Sequence, residues 1–165
     1  MVSENDHFFC SGEAVVPGYP KPIKCSNTRG HKDQDLAKAV GNSCNPAFME
    51  IGQRLGRDKF YEYYEAFGLM ENTGIDLPGE ASLKGAIWAK ENMGPVELAT
   101  ASFGQRFEIT PLQMICAFSA VINGGNLVKP YVEQSISTGD GAVIQNTETE
   151  VVRQVISAET SQRAA

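Results

Sequence analysis

The sequence predicts a mostly α chain with one small antiparallel β-hairpin, and three observations predict it. Apolar and aromatic residues recur at helical spacing, at Phe48, Ile51 and Leu55 and again at Phe60, Tyr64 and Phe67. Thr110-Pro111-Leu112-Gln113 has the form of a capping box with proline at the first helical position, and an apolar run over 112–122 follows it. Strict alternation is confined to Val132-Glu133-Gln134-Ser135-Ile136, after which Thr138-Gly139-Asp140-Gly141 reads as a turn into Ala142-Val143-Ile144.

Taken in order, residues 1–32 read as irregular, broken by Pro17, Gly18, Pro20 and Pro22 and by the polar run Ser26-Asn27-Thr28-Arg29-Gly30. A short helix is expected from Asp33, whose acidic first turn suits the helix dipole, and Gly41-Asn42 stops it. A second helix opens near Asn45 with Pro46 as its first helical residue and ends at Gly56. Asp58 opens a third, whose aromatic stripe is core. Residues 68–94 are turn-rich, and Pro95 begins a short helix carrying Val96 and Leu98. The helix over 112–122 is apolar nearly all round and is expected to be buried; Asn123-Gly124-Gly125 ends it. Ser157 caps a last helix. The expected divisions are an irregular segment (1–32), a helical subdomain (33–125), a hairpin/strand region (126–156) and the start of a truncated helix (157–165).

Composition excludes several classes. With 42% hydrophobic and 21% charged residues, the chain is globular rather than disordered. Fourteen Lys and Arg against 20 Asp and Glu leave a net charge of −6, so nucleic acid is not an expected partner. No apolar run approaches the roughly 20 residues of a membrane-spanning helix. Residues 1–7 carry neither the basic start nor the apolar core of a signal peptide, so the chain by itself reads as soluble.

The cysteines are Cys10, Cys25, Cys44 and Cys116. No C-x-x-C pair occurs and no cysteine has a histidine at metal-ligand spacing, so neither a metal nor any other cofactor is expected. Cys116, within Met114-Ile115-Cys116-Ala117-Phe118, reads as a small buried hydrophobe. Cys10 and Cys25 flank the Pro- and Gly-rich loop. They either form a disulfide, where the compartment is oxidising, or remain two free thiols; the sequence leaves both open.

Histidine chemistry is confined to His7, near the terminus, and His31, read as a hydrogen-bonded loop residue. No nucleophile elbow, zincin, dinucleotide or P-loop motif occurs. One stretch stands apart: Gly41-Asn42-Ser43-Cys44-Asn45-Pro46, at the junction of two helices. A hydroxyl and a carboxamide two residues apart on a sharp turn can face one cleft, where Ser43 can pass a proton and Asn45 can pair with a peptide. The local residues alone favour capping, in which Ser43 or Asn45 satisfies amides of the helix at Pro46.

The wider sequence shifts that balance. Phe9-Cys10-Ser11-Gly12, Gly30-His31 ahead of Asp35-Leu36-Ala37, and Asn42-Ser43-Cys44-Asn45-Pro46-Ala47-Phe48 occur in order. Thr73-Gly74-Ile75-Asp76-Leu77-Pro78-Gly79-Glu80, Ser102-Phe103-Gly104-Gln105, Ile109-Thr110-Pro111-Leu112-Gln113 and Asn123-Gly124-Gly125 follow. Together they resemble the transpeptidase domain of class B penicillin-binding proteins over nearly the whole chain. The stretch from Gly94 to Gln105 is most similar to the sporulation and division members. Lys32 departs from the glycine usual after the histidine.

That family is marked by S-x-x-K, which holds the nucleophile, by an S-x-N motif and by K-T-G. Ser43-Cys44-Asn45 fits the second. No serine here is followed by lysine at the required spacing, and no lysine is followed by Ser or Thr. The resemblance therefore implies a partial transpeptidase domain, an excised middle piece of the α/β fold shared with serine β-lactamases. It implies a parent anchored in the bacterial cytoplasmic membrane, with this domain on the outer face. That parent cross-links peptidoglycan stem peptides through a serine acyl-enzyme and is trapped by β-lactams. Ser43 would relay a proton to the leaving group, Asn45 would hydrogen-bond the substrate backbone, and this chain alone would be inactive. The alternatives are a non-catalytic helical interaction module of the same fold and, more weakly, a hydrolase pairing Ser43 with His31. Self-association is expected through the 112–122 helix face or the 132–144 hairpin.

Overall fold

The computed structural model describes residues 2–82, 85 and 87–165. Met1 and, within the turn-rich stretch, Leu83, Lys84 and Ala86 lie outside the described residues. The chain divides into two compact units, residues 1–62 with 87–107, and residues 63–86 with 108–165.

In the first unit, β1 (His7–Cys10) pairs antiparallel with β4 (Lys32–Asp35), and β2 (Glu13–Ala14) pairs with β3 (Ile23–Lys24). Short strands thus interrupt the segment expected to be irregular, which otherwise runs as turns and coil. The register sets Phe8 opposite Gln34 and Cys10 opposite Lys32, and Phe8 and Cys10 point inward while His7 and Phe9 face solvent. A four-residue strand carries too few alternations to stand out from the prolines and glycines around it. Asp33 belongs to β4 rather than to a helix.

Helix α1 (Leu36–Gly41) starts three residues later, with Asp35 as N-cap accepting from the Lys38 amide at 2.8 Å. Helix α2 (Asn45–Leu55) and α4 (Pro95–Ser102) cross closely. A Cβ on Gly52 would lie 1.8 Å from Ser102 Oγ and 2.8 Å from Ser102 Cβ, so only glycine permits this approach. The core has two parts: Phe8, Cys10, Cys25, Ala39, Cys44 and Ala47, and beside them Val16, Met49 and Ala99. Helix α3 (Arg57–Ala66) opens in this unit and ends in the second.

In the second unit, α5 (Pro111–Ile122) has the expected capping box: Thr110 Oγ1 accepts from Gln113 N at 3.1 Å, and Gln113 Oε1 from Thr110 N at 2.8 Å. Its expected all-round burial is corrected. Cys116 and Ala120 pack with Leu127, but Ile115, Phe118 and Ile122 are 62%, 64% and 65% exposed. An apolar run determines where a helix is not polar, not how many neighbours cover it. Strand β5 (Asn126–Val128) pairs antiparallel with β8 (Val151–Gln154), two strands inside the expected hairpin/strand region that the sequence did not place individually. The expected hairpin lies between them as β6 (Ser135–Ser137) and β7 (Val143–Asn146), closed where Thr138 N donates to Ala142 O at 2.8 Å. Ser157 caps α6 (Ala158–Ala164), as the sequence indicates.

Candidate functional site

The S-x-N stretch forms the turn between α1 and α2. Helix α1 stops as the Asn42 amide turns back to Lys38 O at 2.8 Å. Ser43 then takes φ of +46°, a left-handed conformation that costs a non-glycine residue of order 1 kcal/mol. The consequence is directional. Ser43 stays exposed, Cys44 turns inward to 0% exposure, and Asn45 is half-buried. Cys44, not Ser43 or Asn45, is the N-cap of α2, and no side chain closes a cap bond there. Asn45 Nδ2 instead donates to Lys24 O at 3.0 Å, tying the turn to β3. Asn42 Nδ2 donates to Gln34 Oε1 at 2.9 Å.

Directly beneath this turn is a group that the sequence reading did not assemble. Cys10, Cys25, His31 and Cys44 place their ligating atoms within 4.8 Å of one another. All four cysteines of the chain are buried free thiols, Cys10 and Cys25 among them. Two close backbone approaches hold the group. A Cβ on Gly12 would fall 2.2 Å from Thr28 O, and one on Gly30 would fall 2.2 Å from Cys10 O. Both glycines have positive φ, so the 26–31 loop can lie flat on the end of β1 only with glycine at these positions. His31 consequently directs Nδ1 at Cys25 Sγ, 3.6 Å away, rather than at Ser43.

The thiols are not equivalent. Burial pushes the Cys25 thiol up, but the Asn27 and Asn45 amides donating to its sulfur outweigh this and leave it below the usual thiol value. Burial pushes Cys44 up to about 11, against a smaller opposing contribution from the Ala47 amide. No cysteine has a histidine at metal-ligand spacing along the sequence, yet the fold places His31 beside three of them. The spacing rule looks for ligands adjacent in sequence, whereas β1, the 25–31 loop and the α1–α2 turn bring them together from separate segments. The available signal was density: three of the four cysteines and one of the two histidines fall within residues 10–44.

The second unit carries two carboxylate clamps. Glu80 accepts from Thr73 N at 2.6 Å, Thr73 Oγ1 at 2.7 Å and Gly74 N at 3.1 Å. Asp76 accepts from Val132 N at 2.9 Å and Glu133 N at 2.7 Å. The Thr73–Glu80 motif that carried much of the resemblance is thus a structural one. Gln113 goes beyond its capping role, with Nε2 donating to Leu69 O at 3.2 Å and Glu71 O at 2.8 Å.

Comparison with known proteins decides the family. The penicillin-binding protein transpeptidase domain model matches residues 1–165, the whole chain. The chain belongs to this family. Stage V sporulation protein D of Bacillus subtilis is 40% identical over 161 residues, covering 97% of this chain and 24% of that protein. Penicillin-binding protein PbpB of Mycolicibacterium smegmatis is 34% identical over 121 residues, 73% of this chain and 18% of that protein. The transpeptidase domain of a peptidoglycan glycosyltransferase from Eggerthella lenta superposes with a TM-score of 0.83 at 23% identity, over 99% of this chain and 42% of that one. Penicillin-binding protein 3 of Mycobacterium tuberculosis, solved with aztreonam, gives 0.83 at 25% identity, over 97% and 35%. The chain therefore spans about a quarter of the length of the sporulation protein it matches. The resemblance read from the motifs, including its sporulation and division character, is borne out.

Proposed function

We propose that this chain supplies the S-x-N part of the acyl-transfer site of a peptidoglycan D,D-transpeptidase. The observation that carries the reading is the α1–α2 turn. Ser43 takes a left-handed conformation that glycine would adopt without strain, its hydroxyl is exposed, and the carboxamide two residues on is anchored by one amide hydrogen. In the reaction, a serine oxygen adds to the carbonyl carbon of the penultimate D-alanine, and the bond to the terminal D-alanine nitrogen breaks. Ser43 passes a proton to that leaving nitrogen, and Asn45 hydrogen-bonds the stem-peptide backbone. The amine of a second stem peptide then displaces the serine and forms the cross-link; β-lactams occupy the donor position and stop at the acyl-enzyme.

The nucleophile and its lysine belong to an S-x-x-K motif that this sequence does not contain. The same reading makes this piece largely the helical subdomain of the fold, carried by a membrane-anchored protein on the outer face of the cytoplasmic membrane. Among the described residues no helix is long and apolar enough to cross a membrane. The test is labelling with a fluorescent β-lactam followed by intact-mass spectrometry. The whole protein should be acylated and this chain alone should not, and Asn45→Ala should slow acylation of the whole protein at least tenfold. A stable adduct on Ser43 of the isolated chain would overturn the assignment of roles.

A further inference from the structure

We propose that Cys10, Cys25, His31 and Cys44 form a structural Zn2+ site. Three thiolates and one imidazole are a complete four-ligand set for tetrahedral zinc, of the closed kind that leaves no position for water. The geometry is close to that of a bound site. Tetrahedral zinc with ordinary bond lengths sets sulfur and imidazole nitrogen ~3.6 Å apart and two sulfurs ~3.8 Å apart. His31 Nδ1 lies 3.6 Å from Cys25 Sγ, and all four ligating atoms lie within 4.8 Å of one another, so closure requires small side-chain movements only.

The surroundings fit an anionic sulfur cluster. Zinc binding releases the protons of three thiols to solvent and leaves one net negative charge on the assembly. Donors are placed to meet it. The Asn27 and Asn45 amides reach Cys25 Sγ, and the Ala47 amide in the first turn of α2 faces Cys44 Sγ. Gln34, 2% exposed, lies against Cys44 with its Nε2 otherwise lacking a hydrogen-bond partner. A buried N–H without an acceptor is costly beside neutral thiols and is satisfied beside a thiolate. The ligands come from β1, from both ends of the 25–31 loop and from the α1–α2 turn, so the ion crosslinks segments that share only short strands. It would also pin the turn carrying Ser43 and Asn45, yet zinc binding stands independently of the transpeptidase reading.

The test uses the full chain, purified in reductant without chelator, with metal content measured by plasma mass spectrometry. One zinc per chain is expected. Replacing it with Co2+ should give the intense visible bands of a tetrahedral site together with thiolate-to-cobalt charge transfer. His31→Ala, in a half-exposed loop side chain that does not threaten the core, should weaken zinc retention roughly 10–100-fold against a competing chelator. Cys116→Ser, outside the group, should retain zinc fully. A reduced, folded wild-type chain that takes up no zinc and gives no tetrahedral cobalt spectrum would overturn the proposal. So would equal zinc loss in Cys116→Ser and His31→Ala, or a Cys10–Cys25 disulfide that persists in the zinc-loaded protein.

Discussion

Two single residues separate stability from chemistry in the first unit. Gly52 is required by packing: any Cβ meets Ser102 at less than contact distance, and although Oγ at 1.8 Å can rotate away, Cβ at 2.8 Å is fixed to the α4 backbone. Gly52→Ala should therefore destabilise by about 1–3 kcal/mol, the usual cost of overpacking, read as a lower urea midpoint at unchanged slope. Ser43 is the opposite case. Its φ of +46° is strained and its side chain is exposed, so Ser43→Gly should hold or slightly raise the melting temperature. A clear fall would mean that the serine is kept for packing. The pair explains what was legible at this scale. Ser43 and Asn45 stood out because they fit an S-x-N motif within a longer series of motifs, since locally they read as ordinary caps, whereas Gly52 is one glycine inside a helical pattern, and nothing local signals what crosses it.

At the scale of elements, the helices were legible and most of the strands were not. Caps and stripes are written within a few residues, as at Thr110-Gln113 and Ser157. The strands β1 to β4 and β5 with β8 are two to four residues long and exist through partners distant in sequence. The metal-ligand group was hidden for the same reason. Gln113 shows how far an element's signature understates its role, since its amide also holds the 69–71 carbonyls. Gln113→Glu keeps the capping acceptor and loses both donors. It should cost about 2 kcal/mol in thermal or urea unfolding at neutral pH, because two part-buried hydrogen bonds are lost and a buried carboxylate is left facing the Leu69 and Glu71 carbonyls. The carboxylate clamps make the second unit acid-sensitive. The amides of Glu133 and Val132 hold the Asp76 carboxyl below its ordinary value. For Glu80 burial works upward, but the Thr73 and Gly74 donors outweigh it. A carboxylate with a depressed folded pKa contributes stability that is present above its unfolded value, here 3.8 and 4.5, and lost as pH falls through the folded value. Unfolding midpoints should be flat from neutrality to about pH 5 and fall below pH 4, and Asp76→Asn should flatten that fall.

For the molecule as a whole, the deciding balance is between its charge and its exposed apolar surface. The net charge of −6 and an isoelectric point near 4.9 keep copies apart at neutral pH. The α5 stripe of Ile115, Phe118 and Ile122 and the hairpin residues Val143 and Ile144, at 59% and 66% exposure, provide apolar surface when that repulsion is lost. Ile115 and Phe118 contribute little to folding, because they are mostly solvated already. The double change Ile115→Ser with Phe118→Ser should therefore leave the urea midpoint within about 0.5 kcal/mol of the parent. It should nevertheless reduce association near the isoelectric point, where light scattering of the unmodified chain should be greatest, with much weaker scattering at pH 7. If the scattering maximum survives the double change undiminished, the α5 stripe is not the surface responsible. Attention would then pass to the β6–β7 ladder, whose residues are exposed along both strands and whose outer edges offer unpaired backbone to another chain.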